Sequence, residues 1–124
     1  MKFVIATVIA LAGLAANAAS VRLGSTTLAQ GDDSATIDAR NVGQVDSVTL
    51  SVRGAAHIEE VRVVYRTGTG FGKYVSTKFK TNKYLNNGAL ALDLPDNGYP
   101  VRRIEIKGTA AGFGDASISA IGSN

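Results

Sequence analysis

Cysteine and tryptophan are absent from the 124 residues of this chain, and histidine occurs once, at His57. Without cysteine the chain has no disulfide framework, no zinc–thiolate or iron–sulfur site and no thiol nucleophile. A single histidine also excludes a multi-histidine metal site within one chain. Thiol chemistry and the thiolate and multi-histidine classes of metal site are therefore excluded, and we expect neither a metal nor a cofactor.

Charge and hydrophobic content are both moderate. The chain has 13 lysines and arginines against 10 aspartates and glutamates, a formal net charge of +3, and 45% of its residues are hydrophobic. This composition is typical of a folded globular domain and not of a disordered chain. The length allows one domain of ordinary size.

Residues 1–18 have the pattern of a signal peptide. Lys2 supplies a short positive region, residues 3–16 form an apolar run, and Ala16-Asn17-Ala18 has the small residues of a cleavage site. The run is short for a hydrocarbon core of roughly 30 Å, and no charged stop-transfer segment follows it. We expect cleavage after Ala18, which leaves residues 19–124 as a periplasmic or secreted domain that does not span the membrane.

Apolar and polar residues alternate through most of the remaining chain. In residues 48–53 every second residue is valine or leucine, and threonine, serine and arginine lie between them. A period of two is typical of a strand with one buried and one exposed face. About eight strands are predicted in this way, at residues 21–23, 34–38, 48–53, 60–66, 75–80, 89–94, 103–107 and 116–120.

The segments between these strands are rich in residues that form turns. Gly31, Gly54 and the pair Asn87-Gly88 lie between predicted strands and tolerate a positive φ. No window after the signal peptide keeps an apolar period of 3.6 residues for three turns, so we expect no long helix. The pattern predicts an all-β fold, either an antiparallel β-sandwich or a flattened barrel, and of these we expect a single-domain antiparallel β-sandwich.

The order of these segments also carries a family resemblance. The segments concerned are Arg22-Leu23-Gly24, Val48-Thr49-Leu50-Ser51-Val52, Glu60-Val61-Arg62-Val63-Val64-Tyr65, Leu90-Ala91-Leu92-Asp93-Leu94 and Val101-Arg102-Arg103-Ile104-Glu105-Ile106. With the export signal before them, they resemble the small exported bacterial family typified by the YaaI protein, a domain of unknown function. The resemblance implies a periplasmic β protein, without catalytic residues to carry over.

His57 with Glu59 and Glu60 is the only histidine–carboxylate cluster in the sequence. A catalytic interpretation makes His57 a general base that activates a serine. On a regular strand, however, His57 and Glu59 face one side and Glu60 faces the other. No Gly-x-Ser-x-Gly motif is present to position a serine. We therefore expect no catalytic residues and a solvent-facing His57, and the protein is not expected to be an enzyme.

Two other motifs are better explained by turns than by ligands. Asp32, Asp33 and Asp38 could offer oxygens to calcium, but their spacing matches no EF-hand loop. Residues 68–73, Gly-Thr-Gly-Phe-Gly-Lys, differ from a phosphate-binding loop because Tyr74 follows the lysine and a strand follows in place of a helix. We interpret the aspartates as turn residues and the glycines as the tip of a hairpin.

Positive charge and aromatic residues are concentrated between Arg62 and Tyr84, where no Asp or Glu occurs. On the strand at 75–80, Tyr74, Ser76, Lys78 and Lys80 share one side, which places an aromatic ring and two ammonium groups on a solvent-facing stripe. The predicted binding residues are Arg62, Arg66, Lys73, Tyr74, Lys78 and Lys80.

Three interpretations of this segment remain open. It could bind an anionic envelope polymer, such as lipopolysaccharide, teichoic acid or an acidic glycan, with a steep dependence on salt. The strands could instead recognise an envelope protein through a sheet face or edge, as an inhibitor, chaperone-like factor or secreted effector. The lysines could also serve only to prevent aggregation of exposed strands. Nucleic acid is not expected as a partner because an exported protein rarely meets it.

Overall fold

The protein is a two-sheet β-sandwich. The computed structural model describes residues 20–39, 44–66, 74–95 and 99–123, and no helix occurs in these ranges. They form nine strands, which are β1 Ser20–Leu28, β2 Ser34–Asp38, β3 Gln44–Val45, β4 Ser47–Arg53, β5 Ala55–Arg66, β6 Tyr74–Asn86, β7 Ala89–Asp93, β8 Tyr99–Ala110 and β9 Ala116–Ser123. All eight predicted strands are present, so the all-β prediction is confirmed. The predicted signal peptide lies outside the described residues.

Every strand pair in the described ranges is antiparallel. A four-stranded sheet has the order β1-β9-β4-β7, and a five-stranded sheet has the order β2-β8-β5-β6 with β3 also paired to β8. Consecutive strands often belong to different sheets, so most pairings join distant parts of the chain. No described segment forms an apolar helix of the length needed to cross a membrane.

The core lies between the two sheets and is built from alternate residues of each strand. The fully buried large side chains include Leu50 of β4, Val61 of β5, Ile104 of β8 and Ile118 of β9. All four are at positions where the alternation predicts an inward side chain. No buried polar or charged residue occurs in the described ranges, so the interior is held by apolar packing.

Three strands of the five-stranded sheet are longer than the alternation predicts. β5 and β8 have 12 residues each and β6 has 13. Bulges interrupt the alternation without ending the pairing. One lies between Ile58 and Glu60 of β5, and Asn82 of β6, with a φ of 45°, lies opposite it. The two-residue strand β3 was not predicted because it is too short to show any period.

Two predicted turns are joined by hydrogen bonds at one end of the sandwich. Gly54, which has a φ of +94°, joins β4 to β5, and Asn87, which has a φ of 50°, joins β6 to β7. The Gly54 N–H donates to the Asn87 side-chain oxygen at 2.8 Å, and the Asn87 N–H donates to the Gly54 carbonyl at 2.9 Å. At the same end, the Gln30 side chain of the β1–β2 turn donates to the carbonyls of Gly112 and Gly114 in the β8–β9 turn at 2.6 and 2.8 Å.

Candidate functional site

The predicted binding residues meet on the outer surface of the five-stranded sheet. In the β5–β6 register Arg62 lies opposite Lys78, Arg66 lies opposite Tyr74, and Lys80 lies opposite Glu60. The residues between them, Val61, Val63 and Tyr65, are buried, so the charged side chains face away from the core. We call the surface formed by Arg62, Arg66, Tyr74, Lys78 and Lys80 the basic face. Lys73, also predicted, lies outside the described residues.

The tertiary structure brings carboxylates to a segment that has none in the sequence. Glu105 of β8 lies 3.8 Å from Arg62, measured between Oε1 and Nη1, and Glu60 Oε2 lies 3.9 Å from Lys78 Nζ. Glu105 also accepts a hydrogen bond of 2.7 Å from Arg103 Nε. The side chains concerned are part-exposed, and such ion pairs contribute about 0–1 kcal/mol each. Anionic groups of a ligand can therefore compete with these carboxylates for the cations.

Arg66 and Lys80 differ from Arg62 and Lys78 in having no ion pair within the described part of the chain. Arg66 contacts the aromatic residue of the basic face instead. Its Nη2 atom donates a 2.9 Å hydrogen bond to the Tyr74 hydroxyl, and its guanidinium carbon lies 5.1 Å from the centre of the Tyr74 ring. Hydrogen bonding and cation–π attraction both hold this pair together. The ring stays 52% exposed and can still be contacted by a ligand.

Positive charge at this end of the basic face changes the acidity of the phenol. The hydrogen bond from Arg66 and its charge lower the pKa of Tyr74 below its ordinary value of 10.0, and Arg102 of β8 adds a smaller effect in the same direction. Arg102 lies next to Arg103, where β8 carries a bulge opposite Val64 and Tyr65. Positive charge from two strands therefore favours the ionised form of one exposed aromatic hydroxyl.

Replacing Arg66 with glutamine is expected to raise the pKa of Tyr74. The variant removes both the strongest hydrogen bond to the phenolate and the nearest positive charge, which together favour the ionised form. The shift can be followed by NMR titration of tyrosine labelled at the ring carbon that bears the hydroxyl. As a control, Lys80→Gln removes one charge from the same face without touching the Tyr74 hydroxyl. An equal rise in both variants would contradict the assigned contact.

His57 lies on the same outer surface but forms no catalytic arrangement in the described residues. It is half-buried on β5 and lies opposite Tyr84 of β6 and Thr109 of β8. The expectation that Glu60 faces away from His57 is wrong. The bulge between Ile58 and Glu60 adds one residue, which returns Glu60 to the outer side where it pairs with Lys78. No hydrogen bond described here joins His57 to a serine.

Of the aspartates interpreted as turn residues, Asp32 lies in a turn, whereas Asp38 is the last residue of β2 and forms an ion pair with Arg102. The Asp32 N–H donates to the Ala29 carbonyl at 3.0 Å, and the Asp32 carboxylate accepts from the Ala29 N–H at 3.1 Å, which closes the β1–β2 turn. Among the residues the structure describes, no three carboxylate or histidine side chains are grouped to hold a metal ion. The glycines at 68–73 lie outside these residues, and the strands on either side of them, β5 and β6, are paired antiparallel with Arg66 opposite Tyr74.

Comparison with known proteins finds only distant structural similarities. No family model matches the sequence, and no curated protein matches it significantly, so the YaaI resemblance stays a prediction. A variant of the family 29 carbohydrate-binding module CBM29-2 has a TM-score of 0.43 at 10% identity, over 86% of each chain. YomS, a protein derived from the SPBc2 prophage, has a TM-score of 0.36 at 11% identity, over 87% of this chain and 94% of that one. A Bacillus endospore appendage protein has a TM-score of 0.32 at 17% identity, over 93% of this chain and 98% of that one.

Proposed function

We propose that the protein is an exported, non-enzymatic module that binds an anionic envelope polymer on its basic face. The observation that carries this proposal is the register of β5 and β6, which places Arg62, Arg66, Lys78 and Lys80 on one outward surface beside an exposed Tyr74. The proposed location is the periplasm or the cell exterior, in accordance with the predicted signal peptide at residues 1–18.

The shape of the basic face favours a polymer over a small ligand. Tyr74 and Lys80 are six residues apart on β6, about 20 Å at the rise of an antiparallel strand. The cations are spread along the two strands, so each can contact a different phosphate or carboxylate along a chain. Each exposed contact is weak alone, and the sum depends steeply on salt because counterions compete.

Lipopolysaccharide is the first polymer to test, with protein that begins at Ala19 and so contains every described strand. Binding is expected to weaken about tenfold or more between 50 and 200 mM salt, as expected for several charge contacts. The variant that combines Arg62→Gln, Arg66→Gln, Lys78→Gln and Lys80→Gln is expected to lose binding in isothermal titration at low salt. Wild-type affinity in this variant would overturn the proposal.

Two lysines of β6 provide a matched pair of single variants. Lys80 lies opposite Glu60 on the outer side, whereas Lys83 lies opposite the buried Ile58 and so belongs to the inner side of the same edge strand. Lys80→Gln and Lys83→Gln remove the same charge. We expect only Lys80→Gln to weaken binding several-fold and to reduce the salt dependence. Equal effects would show attraction to overall charge and not to the basic face.

A second candidate function is recognition of an envelope protein by strand addition to β6. This strand forms one edge of the five-stranded sheet, and most of its residues are exposed. Two features oppose strand addition near its end, because Asn82 bulges and Lys83 places a charge on the inner side. The part from Tyr74 to Lys80 is regular. A protein complex that survives the salt concentration at which lipopolysaccharide dissociates would favour this function.

A further inference from the structure

A second polar surface lies on the opposite side of the sandwich. The outer side of the four-stranded sheet contains a groove of about 560 Å³, within the range of volumes that hold small ligands. Hydroxyl side chains and two arginines, Arg22 of β1 and Arg53 of β4, line it. No aromatic or aliphatic side chain contributes to this lining. The groove shares no residue with the basic face.

Strand register explains why the surface is hollow. Ser25 of β1, Ser119 of β9 and Ser51 of β4 lie side by side in one row across three strands, and their small side chains form the floor. Arg53 lies opposite Ser117 and Arg22 lies opposite Ile121, so the two long side chains rise at diagonally opposite corners. From the strand spacing and rise, their Cα atoms are about 17 Å apart.

No carboxylate of the described residues neutralises the two guanidinium groups. Neither Arg22 nor Arg53 has an ion pair with a carboxylate in the described ranges, and the contact recorded for Arg22 is with Ser25, at 3.5 Å between Nη2 and Oγ. A bulge between Arg22 and Gly24 of β1 brings Arg22 and Ser25 to the same side of the sheet. The protein thus presents two fixed positive charges at the corners of a floor of hydroxyl groups.

This chemistry selects a ligand with both anionic groups and hydroxyls. Each guanidinium can donate two parallel hydrogen bonds to one carboxylate, and serine hydroxyls both donate to and accept from sugar hydroxyls. The lining is mainly polar and offers little apolar surface for a lipid chain and no ring for a nucleobase to stack on. We propose that the groove binds a short acidic oligosaccharide whose carboxylates contact Arg22 and Arg53 while its hydroxyls contact the serine row.

The test uses trigalacturonic acid as the probe and the chain that begins at Ala19. In a titration followed by amide NMR, saturable shifts are expected at the segments around Arg22–Ser25, Ser51–Arg53 and Ser117–Ser119. Neutral maltotriose and the small tricarboxylate tricarballylate are each expected to bind at least tenfold more weakly, because each offers only one of the two chemistries. Absence of saturation at millimolar concentration, or shifts confined to the basic face, would overturn the proposal.

Two kinds of variant separate charge from shape. Arg22→Gln with Arg53→Gln is expected to weaken trigalacturonate binding at least tenfold. Ser119→Ile fills the centre of the floor without changing charge and is expected to abolish binding, whereas Thr49→Ile, on the same side but outside the groove, is expected to leave it unchanged. The double variant Lys78→Gln with Lys80→Gln should also leave trigalacturonate binding unchanged. Failure of the groove proposal and failure of the basic-face proposal therefore give different results. Unaltered binding in Ser119→Ile would contradict the assigned location.

Discussion

Replacing Gly108 with alanine is expected to destabilise the domain by about 3 kcal/mol or more, at the upper end for an overpacked interior site. Gly108 is buried in β8 and lies opposite Ile58 of β5, at the bulge of the five-stranded sheet. A Cβ atom at this position would lie 2.3 Å from the His57 carbonyl oxygen and 3.2 Å from the Ile58 Cα. Both are backbone atoms, so relief requires separation of two strands that are paired on either side.

Chemical denaturation of Gly108→Ala beside Gly114→Ala tests this expectation. A Cβ at Gly114, in the β8–β9 turn, meets no atom within 4 Å. That substitution is expected to change the free energy of unfolding by about 0.5 kcal/mol or less, the usual range for surface sites. If Gly108→Ala unfolds at the same urea concentration as the parent protein, then β5 and β8 do not approach each other as closely at this bulge as described.

Replacing Ile118 with alanine is expected to lower the free energy of unfolding by about 2–5 kcal/mol. This is the range found for removing a large aliphatic side chain from a packed core. Ile118 is fully buried on β9, between Thr26 of β1 and Val52 of β4. The alanine variant leaves a cavity in the core. Backbone hydrogen bonds hold both neighbouring strands in place, which limits how far they can move to fill it. Thermal or urea unfolding of the variant measures the loss.

Ile121 provides the matched control for Ile118 because it lies three residues further along the same strand. Its side chain is 42% exposed on the outer side of the four-stranded sheet. Ile121→Ala deletes the same atoms but leaves no internal cavity, so a loss of about 1 kcal/mol or less is expected from the apolar area alone. Similar losses of unfolding free energy in Ile118→Ala and Ile121→Ala would mean that the inner and outer sides of β9 are assigned wrongly.

The two proposed binding surfaces lie on opposite outer sides of one sandwich, and the stability variants act on the layer between them. Gly108 lies next to Lys107, which lies opposite Glu60 on β5, and Ile118 lies between Ser117 and Ser119 of the groove. Binding measurements on these variants therefore need folded protein at a temperature well below the transition. The charge variants avoid this difficulty because their side chains are exposed.

The alternation of residues was sufficient to predict the class of fold and the side of β6 that carries the charge. At 48–53 and 103–107 each inward position named by the pattern is buried. Tyr74, Lys78 and Lys80 share one side of β6 because side chains two residues apart always do on a regular strand. The pattern fails where a bulge adds a residue, as between Ile58 and Glu60. For this reason the predicted orientation of Glu60 was wrong.

Local sequence was enough to predict an all-β chain of two-faced strands with a cationic, aromatic stripe, because those properties depend on residues close together in the chain. Which strands are neighbours became clear only from the fold. It brought Glu105 to Arg62 across the β5–β8 pairing, joined β5 and β6 into one basic face, and aligned Ser25, Ser51 and Ser119 beneath two arginines. A period of two describes the sides of one strand, whereas strand order and register depend on packing between segments far apart in sequence.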